Sequence, residues 1–321
     1  MQITYSAPGK IILSGEHSVV YGKPAFVTAV NLRLTVSINE GKTQIKDKPS
    51  DSEGKKNHEE VMKIDEIVLK YLQKQTKVKK KSFNYFYKSD IPIGRGMGSS
   101  AAFCVATVAA LLHFYTGREH DKQIINSLAY QGEKYFHGMP SGVDVSASCF
   151  GGLIFYRKEF EFLKNISSLN FKIPKKIQDQ LILIDSGKPV ESTAEMVRHV
   201  GKRYNDNPKF IETALNKIEK LTKRMVVSIV KEDTDLFQET VKENQSELEK
   251  IGIVAKQAQK LLKDLEPYGV GKVTGAGGQA EGSGLILFFV KDRGGLKQFA
   301  DINNLKLIPF EQNFEGVKSE G

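Results

Sequence analysis

Short apolar stretches, separated by polar and glycine-containing segments, run along the whole chain and predict a mixture of strands and helices. The first forty residues predict a β-rich start with tight turns, one of them at Pro8-Gly9. A polar, lysine-rich segment from Gly41 to Asn57 predicts an exposed loop, and the apolar residues between Val61 and Leu72 then recur at helical spacing. Phe83 to Tyr87 alternates like a strand and leads through a glycine-rich segment into an apolar helix, Ala101 to Tyr115.

The rest of the chain is predicted to be mainly helical. Asp121 is expected to begin a helix that ends before Gly138-Met139, and Ser148 to Tyr156 is predicted to be a strand. The pattern weakens near 160 to 180 and resumes with a buried strand, Leu181 to Asp185. Further elements are predicted as helices over 190–204, 208–231, 233–248 and 252–265 and a strand over 285–290. We therefore place a boundary near residue 172 and predict two domains, 1–172 and 173–321.

The composition is that of a globular protein. The chain has 321 residues, of which 40% are hydrophobic and 26% charged, which excludes a disordered tail or a fibre. The N-terminal segment lacks a secretory pattern, and the longest apolar run, Ala101 to Leu112, is shorter than the roughly 18 to 20 residues of a membrane-spanning helix. We therefore expect a cytoplasmic protein. Its two cysteines, Cys104 and Cys149, are expected to be buried free thiols.

The net charge of +9 is concentrated in one part of the chain. Residues 42–81 contain twelve lysines against seven acidic residues. A basic excess is compatible with a nucleic acid, an anionic membrane or a phosphorylated small molecule. A nucleic-acid binder is the least favoured of these, because the lysine-rich segment is interleaved with acids and has no stacking-aromatic motif.

The most informative local pattern is the glycine loop Pro92-Ile-Gly-Arg-Gly-Met-Gly-Ser-Ser-Ala101, which runs directly into the apolar helix. Glycine allows a phosphate to approach the backbone, and a helix N-terminus supplies free N–H groups and the positive end of the helix dipole. The pattern matches neither the Walker A loop nor the dinucleotide fingerprint. The alternative is a structural glycine turn capped by Ser99.

Several charged or polar residues are candidates for chemistry, although each has an ordinary structural alternative. Glu133 lies on an apolar helix face, where a carboxylate needs a cation or a salt bridge. Asp144 follows a glycine and is expected in a turn that directs its carboxylate out of a loop. Lys10 and Glu16-His17 stand near the predicted Pro8-Gly9 turn and, taken singly, are typical of solvated or hydrogen-bonded side chains. No zinc-binding spacing and no hydrolase nucleophile motif is present.

Taken together, three motifs resemble those of the GHMP kinase superfamily of small-molecule kinases. They are the segment from Ala7 to Gly22, the segment from Pro92 to Ala101, and the segment from Lys272 to Gly278. Within the superfamily, Gly15-Glu-His-Ser-Val-Val-Tyr-Gly22 and His137-Gly-Met-Pro-Ser-Gly-Val-Asp144 are most similar to the mevalonate kinases. The resemblance spans nearly the whole chain.

This resemblance implies an α+β fold of two domains, the N-terminal one like a domain of a ribosomal protein and the C-terminal one ferredoxin-like, with the active site in the cleft between them. It implies ATP and Mg²⁺ as cofactors, a small-molecule substrate and a homodimer, with no nucleic acid and no membrane as partners. By position, Asp144 matches the catalytic base and Lys10 the lysine beside it, while Ser100 and Glu133 match the metal ligands. The positions that match the nucleotide site are Pro92, Gly94, Arg95, Gly96, Met97, Gly98, Ser99, Ser100, Ala101, Gly275 and Gly277.

Four further residues match the substrate side of the family's site: Glu16, His17, Ser141 and Thr193. One departure from the family is clear, because the third motif continues from Gly278 as Gln-Ala-Glu-Gly-Ser-Gly instead of further glycines. The resemblance therefore implies an ATP-dependent phosphorylation of the hydroxyl on carbon 5 of mevalonate. The alternatives are a related kinase for phosphomevalonate, homoserine or a sugar, and a catalytically silent binding module on the same fold.

Overall fold

The computed structural model describes residues 2–42, 44–46, 53–137, 140–160 and 163–321. The strands are β1 (Gln2–Ser14), β2 (Ala25–Glu40), β3 (Gln44–Lys46), β4 (Phe83–Ser89), β5 (Leu153–Phe160), β6 (Leu163–Leu169), β7 (Leu181–Asp185), β8 (Gly269–Thr274), β9 (Leu285–Val290), β10 (Leu307–Pro309) and β11 (Lys318–Ser319). The helices are α1 (Glu53–Gln73), α2 (Ser99–Thr116), α3 (Lys122–His137), α4 (Val143–Phe150), α5 (Lys175–Gln178), α6 (Thr193–Asp206), α7 (Pro208–Val230), α8 (Thr234–Lys250), α9 (Lys256–Asp264) and α10 (Arg293–Ile302).

The strands form two sheets. Among the described residues the first has seven strands, in which β11, β1, β2, β4 and β3 are neighbours in that order and β5 joins β2 to β6. The second has four strands in the order β10, β7, β9, β8. With helices packed against both sheets, the predicted α+β class is confirmed. The boundary near residue 172 stays a prediction.

The long first strand differs from its prediction. We expected a turn at Pro8-Gly9, but β1 continues through this pair and is only shifted in register there, so that Pro8 faces Arg33 and Gly9 faces Val30 on β2. A shift of this kind is a β-bulge, which bends a strand without ending it. Lys10 therefore extends from a continuous strand and does not follow a turn.

The central helix α2 explains much of the chain's apolar character. By length and composition it could cross a membrane, contrary to the sequence prediction, yet 78% of it is buried inside the protein. It packs against β1 and β2, and its side chains are buried on nearly every face. A helix that is apolar all round is typical of a protein core. Both cysteines are buried and free, as predicted.

Two other predictions need correction. The strand expected from Ser148 begins only at Leu153, because the preceding residues form the end of α4. Within the predicted loop 41–57, residues 44–46 form β3 and residues 53–57 begin α1. Residues 43 and 47–52 lie outside the described residues, as do Gly138 and Met139.

A C-terminal segment, residues 311–320, returns to the first sheet and contacts the end of α4. The Gly152 N–H donates to the Asn313 carbonyl oxygen over 2.7 Å, and the Val317 N–H donates to that of Cys149 over 3.1 Å. Further along, β11 pairs antiparallel with β1. The chain thus crosses to the second sheet and comes back before residue 320.

Candidate active site

The loop between β4 and α2 is held in shape by three alternating glycines. Gly94, Gly96 and Gly98 have φ angles of +69°, +80° and +71°. Residues that carry a Cβ rarely adopt such positive φ angles. The first turn of α2 follows at once, and its N–H groups have no partners within the helix. Gly98 caps the helix without any side-chain hydrogen bond, so Ser99 is not the cap that the alternative predicted. The loop and helix together have the geometry of the predicted anion cradle, and the binding of an anion there stays a prediction.

A lysine and a carboxylate meet beside this loop. Asp144 lies in the first turn of α4, where the helix dipole favours a negative charge, and not in the loop that we expected. The Lys10 Nζ is 3.1 Å from the Asp144 Oδ1, and the two side chains are 3% and 33% exposed. The Lys10 backbone N–H donates to the Met97 carbonyl oxygen over 2.9 Å, which ties β1 to the glycine loop. An added Cβ on Gly98 would lie 3.0 Å from the Lys10 Cγ, so glycine leaves the space for the lysine.

Glu133 brings a second carboxylate to the same place. It extends from α3 and is buried. Burial and the negative charge of Asp144 raise the pKa of Glu133 to about 8, and the positive charge of Lys10 opposes this shift. Its Oε2 has no hydrogen-bond partner among the described residues. An unpaired carboxylate oxygen beside a second carboxylate suits a hard divalent cation, which prefers oxygen ligands. The described residues contain no cluster of three His, Cys, Asp or Glu, so such an ion would also need hydroxyl or phosphate oxygens.

Glu16 is tied to the opposite half of the molecule. Its carboxylate accepts a hydrogen bond from Lys272 on β8, and both side chains are fully buried. Burial raises the pKa of Glu16 and lowers the pKa of Lys272, and the charge of each residue opposes the shift of the other. The Lys272 Nζ also donates to the Ile12 carbonyl oxygen over 3.3 Å. Glu16 therefore has no surface facing solvent. Its partner Lys272 is a further residue of the site, for which the sequence predicts no role.

His17 is held between the two halves as well. Its φ of 56° is rare for a residue with a side chain, and its Nε2 donates to the Ala276 carbonyl oxygen over 2.9 Å. A carbonyl oxygen can only accept, so this nitrogen carries the proton. Burial lowers the pKa of His17 from 6.5 to about 4, and the imidazole is neutral at pH 7.

The third motif contacts the first two. The Thr274 Oγ1 accepts from the Ile12 N–H over 3.0 Å and donates to the Ile12 carbonyl oxygen over 3.1 Å. An added Cβ on Gly275 would lie 3.2 Å from the Gly96 Cα, which shows how closely the two glycine loops approach. The residues that follow the third motif, Gln279 to Gly284, fold back on the segment after β7. There the Gly284 N–H donates to the Gly187 carbonyl oxygen over 3.0 Å.

A cavity of about 370 Å³ opens between the glycine loop, the segment before α6 and the third motif. Thr193, the first residue of α6, lies in its wall. Lys10, Asp144 and Glu133 are not part of the lining, but the loop that carries Gly94 and Gly96 continues to Gly98, which lies beside Lys10 and Asp144. The lining residues are Gly94, Arg95, Gly96, Lys188, Pro189, Val190, Glu191, Ser192, Thr193, Glu195, Thr274, Ala276, Gly277, Ser283 and Gly284.

The remaining predicted site residues take different positions. The Arg95 Nε lies 2.9 Å from the Asp185 Oδ2, so this guanidinium already has an anionic partner. The Ser141 Oγ accepts from the Val143 N–H over 3.3 Å at the start of α4, and Ser100 lies in the first turn of α2. Pro92 belongs to the loop, whereas the side chains of Met97 and Ala101 are in the core.

The GHMP kinase N-terminal domain family matches residues 61–152 of the chain. A mevalonate kinase from Pyrococcus horikoshii is 32% identical over 298 residues, which cover 85% of either chain. The solved mevalonate kinase of Methanococcus jannaschii is 21% identical, with a TM-score of 0.78 and coverage of 97% of this chain and 98% of that one. The mevalonate kinase of L. major, solved in complex with R-mevalonate, is 20% identical with a TM-score of 0.76 and 95% coverage of each chain. These solved structures share the fold.

Proposed function

Because the chain belongs to the mevalonate kinases of the GHMP kinase family, we propose that it transfers the terminal phosphoryl group of ATP to the hydroxyl on carbon 5 of mevalonate. The observation that carries this proposal is the pair formed by Lys10 and Asp144 beside the glycine loop. Phosphoryl transfer needs positioning and charge neutralisation more than covalent chemistry from the protein. The pair and the loop supply both.

In this proposal Asp144 accepts the proton of the attacking hydroxyl. The ammonium of Lys10, 3.1 Å away, partly neutralises the negative charge of the carboxylate and contributes positive charge where the transferred group becomes more negative. Because Lys10 is nearly fully buried and its backbone is bonded to Met97, the ammonium is held in place before substrate binds. The N–H groups at the start of α2 bind the phosphate oxygens.

We also propose that Glu133 and Ser100 hold Mg²⁺. The unpaired oxygen of Glu133 and its raised pKa fit this assignment, because a buried carboxylate without a cation is unstable in its charged form. When bound, the ion neutralises phosphate charge. To hold the ion, Glu133 would have to be in its deprotonated form.

For mevalonate we propose a site formed by His17 and Thr193 beside the cavity, together with Ser141 at the start of α4. Thr193 is exposed in the cavity wall, and His17 contacts Ala276, which also lines the cavity. Glu16 does not contact the substrate in this proposal, because its buried carboxylate is paired with Lys272. It supports the segment that carries His17 and does not itself contact solvent.

The test is an assay of ADP release with mevalonate, phosphomevalonate, homoserine and galactose side by side. We expect a clear preference for mevalonate, and equal or no turnover of all four would contradict the proposal. Asp144→Asn and Lys10→Met should each lower kcat by roughly 100-fold or more while ATP still binds. Lys260→Met, a change of an exposed lysine on α9, is the matched control and should leave turnover unchanged.

A further inference from the structure

Four charged side chains line the 370 Å³ cavity, and three of them are already engaged by the protein. Arg95 pairs with Asp185 over 2.9 Å. The Glu191 carboxylate accepts from the N–H groups of Gln279 and Ala280 over 3.2 and 3.1 Å. The Glu195 carboxylate accepts from the Ser192 N–H over 2.7 Å and so completes the cap of α6.

Lys188 is the fourth, and it differs from the others. It is exposed, and no carboxylate among the described residues lies within ion-pair distance of its ammonium. Its stem lies across the glycine loop, because a Cβ added to Gly94 would be 2.9 Å from the Lys188 Cε. A lysine whose stem packs on a glycine loop keeps its charged end at the cavity.

The backbone that carries Lys188 is fixed by its neighbours. The Gly187 N–H donates to the Asp185 Oδ1 over 2.9 Å, and the Gly187 carbonyl oxygen accepts from Gly284 over 3.0 Å. Pro189 follows and restricts the conformation of Lys188 itself. The lysine is thus presented by a rigid segment that is bonded to the third motif.

We propose that Lys188 binds an anionic oxygen of a reactant in this cavity. The proposal deepens the proposed function, on which it rests, since both ATP and mevalonate are anions. The oxygen belongs either to a phosphate of the nucleotide or to the carboxylate of the acid, and both offer a lysine the same charge-assisted hydrogen bond. Arg95 cannot readily take this role, because Asp185 neutralises it.

The experiment compares the full chain with Lys188→Met, Lys188→Arg and the control Lys260→Met. In Lys188→Met we expect the KM for one of the two reactants to rise about 10- to 100-fold, the effect of losing a hydrogen bond to a charged group. The Lys188→Arg variant should recover most of the affinity, because it keeps the charge. Thermal unfolding of all variants should coincide, since the side chain is exposed.

The KM values identify the anion. A rise confined to ATP indicates a phosphate, and a rise confined to mevalonate indicates the carboxylate. In the second case, the preference of the enzyme for mevalonate over its uncharged primary amide should shrink in Lys188→Met. If both KM values stay within about twofold of the unmodified chain, the proposal is wrong.

The failure of the proposed function would look different. In that case the unmodified chain releases no ADP with mevalonate. Equilibrium dialysis of ATP and of mevalonate against the unmodified chain and Lys188→Met still tests the role of Lys188. A weaker affinity for either anion in the variant would support it, and unchanged affinities for both would overturn it.

Discussion

Glu16 and Lys272 form an ion pair that is completely buried, although 256 residues separate them along the chain. Glu16 follows β1 in the first sheet, and Lys272 is part of β8 in the second. With the bonds from Lys272 and Thr274 to Ile12, the pair joins the two sheets within a few residues of Lys10. The contact between the sheets and the candidate catalytic pair therefore depend on the same segment.

We expect Lys272→Met to lower the free energy of unfolding by about 3 to 5 kcal/mol, because it leaves the Glu16 carboxylate buried without a cation. The double variant Glu16→Gln with Lys272→Met should lose less, since no buried charge remains. Urea unfolding of both variants and of the control Lys260→Met measures this. A double variant that is less stable than Lys272→Met would show that the unpaired Glu16 carboxylate is not the cause of the lost stability.

His17 should make the stability of the protein sensitive to acid. The unfolded chain binds a proton at this residue near pH 6.5 and the folded chain only near pH 4, so in that interval the unfolded state holds more protons. Stability from this source is complete above pH 6.5 and falls as the pH falls, with a loss of about 2 to 3 kcal/mol by pH 4.5. His17→Asn, which tolerates the positive φ, should abolish this part of the dependence. Urea unfolding at pH 7 and 4.5 measures it, and equal losses in both proteins would contradict it.

Gly98→Ala should impair turnover through Lys10. The new Cβ would lie 3.0 Å from the Lys10 Cγ and 3.7 Å from the Asp144 Cβ, so the lysine must move. Gly117→Ala is the matched control, because Gly117 has the same φ of +71° and nothing lies within 4 Å of its added Cβ. Both should lose about 1 kcal/mol of stability to backbone strain. Only Gly98→Ala should lower kcat, by roughly tenfold or more, and equal kcat values would refute the steric role.

Glu133→Gln should raise the Mg²⁺ concentration needed for half-maximal activity by about tenfold or more, because an amide is a poorer ligand for a hard cation than a carboxylate. Titration of the metal at fixed, saturating ATP in a kinase assay gives this value. Glu281→Gln, in the exposed part of the third motif, should not change it. An unchanged requirement in Glu133→Gln would remove this residue from the metal site.

Local patterns in the sequence were enough to predict the glycine loop, helix α2 and strand β9, and the family resemblance added the pairing of Lys10 with Asp144, which the structure confirms. These elements depend on neighbours in the chain or on motifs that keep their spacing. The metal and substrate roles of Glu133, Ser141 and Thr193 stay predictions. So do the cytoplasmic location and the homodimer.

The errors arose where distant residues decide the local structure. Pro8-Gly9 has the composition of a turn, but pairing with β2 on both sides keeps β1 continuous. The last three residues of α4, from Ser148 to Phe150, are predicted to be part of a strand, whereas packing of α4 against α2 and β1 makes them helical. Lys272 begins the third motif, from which the sequence predicts no role for it, although a lysine within a buried strand indicates a partner. That partner could not be identified without the fold.

The return of the C-terminal segment sets an order for biosynthesis. The Ser6 Oγ donates to the carboxylate of Glu320, 314 residues away, and the Glu320 N–H donates to the Thr4 carbonyl oxygen over 2.9 Å. During translation the N-terminal half emerges from the ribosome long before these contacts can form. The edge of β1 and the end of α4 therefore stay uncovered until residue 320 has left the exit tunnel. Protection of this edge against proteases therefore has to wait for residues 311–320, although the strand and helix that they cover are made first.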